Sequence, residues 1–334
     1  MHLFLLILLL SYSSVVFSVQ SERFPTFEEL KQTEALLDEG DYDSYSKLWE
    51  IISFTELELN SINKSNKETD LALAIIFSNE MDGEKFLKIK RGLKLFPQSP
   101  LILFLTINNC ARDGYEKKYK HCDSELYTSF VAVNKKNMIS YYVMAAHDFK
   151  KNNYKQAILN LKIGNKAANY NGFTKETFDL IRNKGGSLGF PEYISNYMAF
   201  LNFASIMYIK PIFEMCKSNN NIVNNSIRAE CLKLGNRMEI FSKTIIEKAF
   251  GLAIQKKVFE SSKSSQSEID IIDNRREAID LVSKESRKIP KEQISLADNA
   301  QFYTDLFTFG EIEAFENIIK KKRMKSVLDE CSSN

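Results

Sequence analysis

Apolar side chains recur at three- and four-residue steps along most of the chain, the spacing that keeps one face of a helix against a core. Pro25-Thr26-Phe27-Glu28-Glu29 opens the first such segment. The Thr26 hydroxyl can accept from the Glu29 N–H while the Glu29 carboxylate reaches back, which is a capping box, and the helix is expected to run to about Leu37. Gly40-Asp41-Tyr42 breaks it, and Tyr45, Leu48, Trp49 and Ile52 mark a second helix. Leu71 to Phe77, and Phe86, Ile89, Leu93 and Phe96, form two more on either side of Asp82-Gly83. Ser99 caps the next, with Pro100 at the first helical position, where a missing N–H costs nothing. Leu101 to Ile107 is apolar on every side and is expected to be central. Asp113-Gly114 ends that helix, and Tyr115, Tyr119, Cys122 and Leu126 set the rhythm of another.

From Met138 the periodicity is clearest: Tyr141, Met144 and Ala145 lie on one helix, Asn152-Asn153 makes a turn, and Tyr154, Ala157, Ile158 and Leu161 lie on its partner. The glycine-dense stretch Asn183 to Pro191 reads as a helix stop and domain seam; it lacks the glycine spacing of a phosphate loop and follows no strand. Tyr197 to Ile209 is a buried helix too short to span a bilayer, and Pro211 is expected to kink or end it. An asparagine-rich loop, Ser218 to Asn225, leads to Ser226 as an N-cap and to Cys231, Leu234, Met238, Phe241 and Ile245 at heptad-like steps. Beyond the polar segment Ser261 to Ser267, helical patterns recur around Ile279 to Val282, Ile294 to Phe307 and Ile312 to Ile319.

Twelve glycines and six prolines in 334 residues leave few turns between these segments. The fold class expected is all-α, built of stacked antiparallel helical hairpins with an irregular C-terminal helical half. The hairpins would occupy residues 22–184 and the C-terminal region 190–330. Met1 to Ser18 has the layout of a signal peptide, with the apolar run Leu3 to Leu10 followed by small and polar residues. Cleavage fits after Ser18 and nearly as well after Ser21. The chain is therefore expected to be exported, periplasmic or extracellular.

The Met138 hairpin resembles a tetratricopeptide repeat. Tyr141 stands where that repeat has a large aromatic and Met144 where it has leucine; Ala145 and Ala157 fall at its close-contact positions, Leu161 at a large apolar site and Gly164 at the later small one. Arg91 to Pro97 looks like the end of another such repeat with its closing proline, and Gly40-Asp41-Tyr42 resembles its inter-helix turn, with Tyr45 where a small residue belongs. The resemblance implies an α-solenoid over the first half of the mature chain. The segment from Cys216 through Arg228-x-x-Cys231-Leu232 to Gly251-x-Ala253-Ile254 also resembles a helical element of bacterial exported proteins that carry no assigned activity.

Export gives the five cysteines meaning, because thiols outside the cytosol tend to be oxidised. Residues equidistant from a hairpin turn face each other. Cys110 and Cys122 are symmetric about residue 116, and Cys216 and Cys231 flank the asparagine-rich loop, so each pair is expected to form a local disulfide. Cys331 is then the odd thiol.

Charge and motifs narrow the chemistry. With 45 basic and 43 acidic residues, nothing global favours nucleic acid. The run Lys320, Lys321, Lys322, Arg323 and Lys325 reads first as a helix end stabilised by the dipole and second as a site for anionic lipid or acidic polymer. Asn63-Lys64-Ser65 and Asn224-Asn225-Ser226 match the glycosylation sequon. No hydrolase elbow, dinucleotide fingerprint or Walker loop occurs, and neither His-x3-His nor Cys-x2-Cys metal spacing is present, so no catalytic residue, metal or cofactor is assigned. His121 adjoins Cys122, but neighbours on a helix face different ways. The function expected is a non-enzymatic protein-binding or scaffold role, with Tyr142 and His147 on a candidate binding face of the first helix of the best hairpin. The alternative is a hydrolase of an envelope polymer acting through a carboxylate pair near Gly185 to Tyr193.

Overall fold

A computed structural model describes residues 24–38, 52–78, 83–112, 119–203, 207–217, 224–261, 266–289 and 293–332. Among these the chain is all-α, with sixteen helices. They are α1 (Phe27–Asp38), α2 (Glu56–Lys64), α3 (Glu68–Ile76), α4 (Glu84–Leu95), α5 (Pro100–Cys110), α6 (Ser124–Val133), α7 (Met138–Lys150), α8 (Tyr154–Gly164), α9 (Thr174–Ser187), α10 (Glu192–Phe203), α11 (Ile209–Lys217), α12 (Asn224–Phe241), α13 (Ile245–Ser261), α14 (Gln266–Arg287), α15 (Leu296–Thr308) and α16 (Glu311–Ser332). The signal-peptide segment, the Gly40-Asp41-Tyr42 break, Tyr45 to Trp49 and Asp113-Gly114 lie outside the described residues. Two compact units emerge, and the chain is threaded between them: one holds the residues up to Val133 together with Phe173–Met207, the other Asn134–Gly172 together with everything from Tyr208.

In the first unit the capping box forms, with the Glu29 N–H donating to Thr26 Oγ1 at 3.2 Å and the Thr26 N–H to Glu29 at 2.6 Å. Ser99 Oγ accepts the Ile102 N–H at 3.1 Å, and α5 is buried from Ile102 to Cys110. Phe104 on α5 stacks on Phe173, centroids 4.6 Å apart, and Phe130 of α6 closes on the same ring at 5.9 Å. Gly185 and Gly186 lie inside α9, so the glycine stretch is not a helix stop there; the turn comes at Gly189, whose φ of 85° is left-handed. Gly185 is needed for packing, since a Cβ on it would sit 2.6 Å from Ser195 Oγ of α10.

In the second unit α7 and α8 form a hairpin through Asn152 (φ 61°) and Asn153. The helix expected over Tyr197 to Ile209 is not one element, since α10 ends at Phe203 and α11 begins at Ile209; Pro211 falls in the first turn of α11, where it forfeits no hydrogen bond, and so neither kinks nor ends the earlier helix. Ser226 lies within α12 rather than capping it. Helices α12 and α13 meet at two glycines: a Cβ on Gly235 would stand 2.7 Å from the Gly251 carbonyl oxygen, and one on Gly251 would stand 2.6 Å from that of Gly235. α14 lays Ile272 and Ile279 against Leu252 of α13. Ser295 and Asp298 cap α15 reciprocally.

Both expected disulfides are present, with Cα–Cα distances of 5.6 Å for Cys110–Cys122 and 5.7 Å for Cys216–Cys231. The first joins the end of α5 to a turn ahead of α6, and the second joins α11 to α12. Tyr119 and Cys122 therefore belong to a turn, where the Cys122 N–H donates to the Tyr119 carbonyl at 3.1 Å, and not to the helix expected from their spacing.

Backbone atoms cannot yield as a flexible side chain can, so Gly235→Ala and Gly251→Ala should each destabilise the protein by about 1–3 kcal/mol. Gly186→Ala, with nothing within 4 Å of the added carbon, should stabilise, by about 0.5–1 kcal/mol through helix propensity. Urea denaturation of the three variants checks the contrast.

Candidate functional site

Tyr142 and His147 do not form a face. Tyr142 is 0% exposed and His147 3%, because α7 packs on α8 and on α11. The Tyr142 hydroxyl donates to Asn165 Oδ1 at 2.9 Å; Asn165 Nδ2 donates to the Glu230 carboxylate at 2.8 Å, which in turn accepts from Lys233 at 2.9 Å. Burial raises the Tyr142 phenol, with Arg237 working against it. The residue is a hub of packing and hydrogen bonds.

What the hairpin does present is the outer face of α8. Leu159 is 48% exposed and Ile163 38%, four residues apart and so on one side of the helix, with exposed Lys155, Lys162 and Lys166 around them. The other sides of α8 are taken by α7 and α12.

A polar cluster that no local pattern announced sits at the head of α13. Glu247, 2% exposed, accepts from the Tyr208 hydroxyl at 2.6 Å and from Thr244 Oγ1 at 3.0 Å. Gly172 passes directly over it, with room for no Cβ, since one would lie 2.3 Å from Glu247 Oε1. The Tyr170 hydroxyl is buried beside the pair. Burial raises the Glu247 carboxyl, and the Tyr208 and Thr244 hydrogen bonds offset only part of that. Nearby, Glu311 accepts the Ile245 N–H at 2.7 Å. Burial, with the charge of Glu247 adding to it, pushes its carboxyl up to about 7. Besides Asp148 of α7, whose carboxyl burial also raises, two carboxyls with raised pKa thus exist, but at the start of α13 and not near Gly185 to Tyr193, where Glu192 is the one acid and is exposed. Their oxygens tie together the heads of α11, α13 and α16.

Three residues of the C-terminal basic run form ion pairs within the chain, and of these only Lys322 is mostly covered, Lys321 and Arg323 staying 61% and 69% exposed. Lys321 bonds the buried Asp298 at 2.6 Å, Lys322 takes its other oxygen, and Arg323 pairs with Glu285 at 2.8 Å. Burial would raise the Asp298 carboxyl; the two lysines and Ser295 outweigh it and hold it well below the usual carboxylate range. Lys320 is exposed.

In the first unit, His121 comes within reach of cysteine after all, because residues 119–123 turn and the helical rule for neighbours does not apply. The ligand atoms of Cys110, His121 and Cys122 lie within 4.8 Å of one another. The imidazole stacks on Phe86 (5.1 Å, 24° between planes), which stacks on Tyr119 at 4.6 Å. Burial pushes His121 down, with Asp123 working against it.

Glu311 is protonated in the fold over a range where it ionises in the unfolded chain, from 4.5 up to about 7. The folded state holds more protons there, so its contribution is full at lower pH and is lost as pH rises through that window. Glu311→Gln keeps an acceptor for Ile245. It should flatten the fall and leave the protein more stable than native above pH 7 by about 1 kcal/mol, discounted from the shift because the residue is only half-buried. Denaturation midpoints across the window test this. In comparisons with protein-family models, curated proteins and solved structures, nothing matched this chain.

Proposed function

We propose that this chain is an exported, disulfide-stapled protein of tetratricopeptide-like helical hairpins that binds a protein partner and catalyses no reaction. The observation that carries the reading is the outer face of α8, where Leu159 and Ile163 stand exposed between lysines. Adjacent apolar side chains at one helical face, ringed by charge, are the anatomy of a small recognition surface. Its complement is a segment that offers apolar side chains flanked by carboxylates. Two disulfides fit an oxidising compartment, and among the described residues no helix is long and apolar enough to cross a membrane. The raised carboxyls argue against the hydrolase reading, since each is engaged within its own unit.

The test is crosslinking and recovery from envelope or extracellular extract at native expression, with the native protein beside a Leu159→Glu, Ile163→Glu double variant whose helicity is checked by circular dichroism. The native chain should recover a specific partner and the variant about tenfold less, the loss of roughly 1.4 kcal/mol. Equal recovery would remove α8 as the face. No specific partner for the native chain would overturn the binding role.

A further inference from the structure

Cys110 is the last residue of α5, and Cys122 precedes Asp123, whose Oδ1 accepts the Glu125 and Leu126 N–H groups at 3.1 Å and so fixes the head of α6. One sulfur is thus carried on the last residue of α5 and the other on the turn that leads into α6. Between them, Phe86 and Tyr119 hold the His121 ring by stacking, and its nitrogen lies within 4.8 Å of both sulfurs. Two sulfurs and one imidazole are a donor set suited to a borderline or soft cation, with tetrahedral zinc the leading instance and water in the fourth position.

We propose that reduction of the Cys110–Cys122 disulfide converts this corner of the first unit into a site for one zinc-class divalent cation, held by Cys110 Sγ, Cys122 Sγ and the His121 imidazole. A dithiol or phosphine reductant supplies two electrons and two protons arrive from solvent, cleaving the S–S bond to two thiols. Metal binding then releases two protons as the thiols become thiolates. The sulfurs must part from about 2 Å to roughly 3.7 Å, and the nitrogen must close to a similar distance, for all three to reach one tetrahedral ion at ordinary bond lengths. Those are shifts of an ångström or two at the end of α5 and in the turn before α6, well short of unfolding. Reoxidation by a small-molecule disulfide, which takes the two electrons and is itself reduced to two thiols, re-forms the S–S bond and expels the ion. The site exists in one redox state and the staple in the other, so the two are mutually exclusive.

Titration of the phosphine-reduced full chain with cobalt(II) should produce the visible bands and sulfur charge-transfer absorption of a tetrahedral thiolate site at one ion per chain, displaced by zinc. The oxidised chain should bind none there. His121→Ala should weaken binding at least about tenfold, the scale set by loss of ligand support, while its oxidised form keeps the native melting temperature to show that it folds. Zinc should slow alkylation of Cys110 and Cys122 in the reduced native chain and leave Cys216 and Cys231 as reactive as without metal. Unchanged affinity in the histidine variant, protection of Cys216 and Cys231 instead, or no thiolate absorption on reduction would each overturn the proposal.

Discussion

The ring of Tyr142 occupies the space that a side chain on Gly164 would need, since a Cβ there would fall 2.7 Å from the aromatic carbons. That one approach lets α8 close on α7, and it aims the phenol at Asn165, just past the end of α8. Asn165 passes the hydrogen bond on to Glu230 of α12, and the next residue, Cys231, is covalently joined to α11. A single aromatic thereby registers four helices of its unit. The same burial decides which side of the hairpin is left outside: with α7 covered by α8 and α11, the remaining surface belongs to α8.

A second constraint acts at the other end of α12. The backbone contact at Gly235 and Gly251 brings α13 alongside α12 too closely for any side chain between them. The first turn of α13 is held in place beside Tyr208 and Gly172, so Glu247 has no route to water. A carboxyl in that position stays because its hydrogen bonds are supplied by Tyr208 and Thr244. Asp298 shows the opposite solution, an ionised carboxylate kept buried by two lysines from a neighbouring helix.

What could be read in advance was local. The Thr26 and Glu29 capping box, the Ser99-Pro100 start and both cysteine pairs involve residues near one another in the chain, so local spacing pointed to them, even though Cys122 sits in a turn and not on the helix expected. Tyr142 and His147 were misplaced because periodicity says which residues share a face, not how many neighbouring helices cover it. His121 was set aside on a rule for helices that a turn does not obey. The Glu247 cluster was invisible, since Gly172, Tyr208 and Glu247 come from three distant segments and are brought together only by tertiary packing. Pro211 and Ser226 show the usual uncertainty at helix ends, where a shift of two or three residues turns a breaker into a tolerated first-turn residue and a cap into an interior one.

The threading of the chain between its two compact units has a consequence for how the protein is made. Residues 134–172 leave the ribosome before 173–207, which the first unit still requires. The α7 and α8 hairpin must then wait for Tyr208 onward before its own unit can close. The first unit can therefore close once residue 207 has emerged, while the second is held open until the residues from Tyr208 follow, and neither can be cut out as one continuous stretch of sequence.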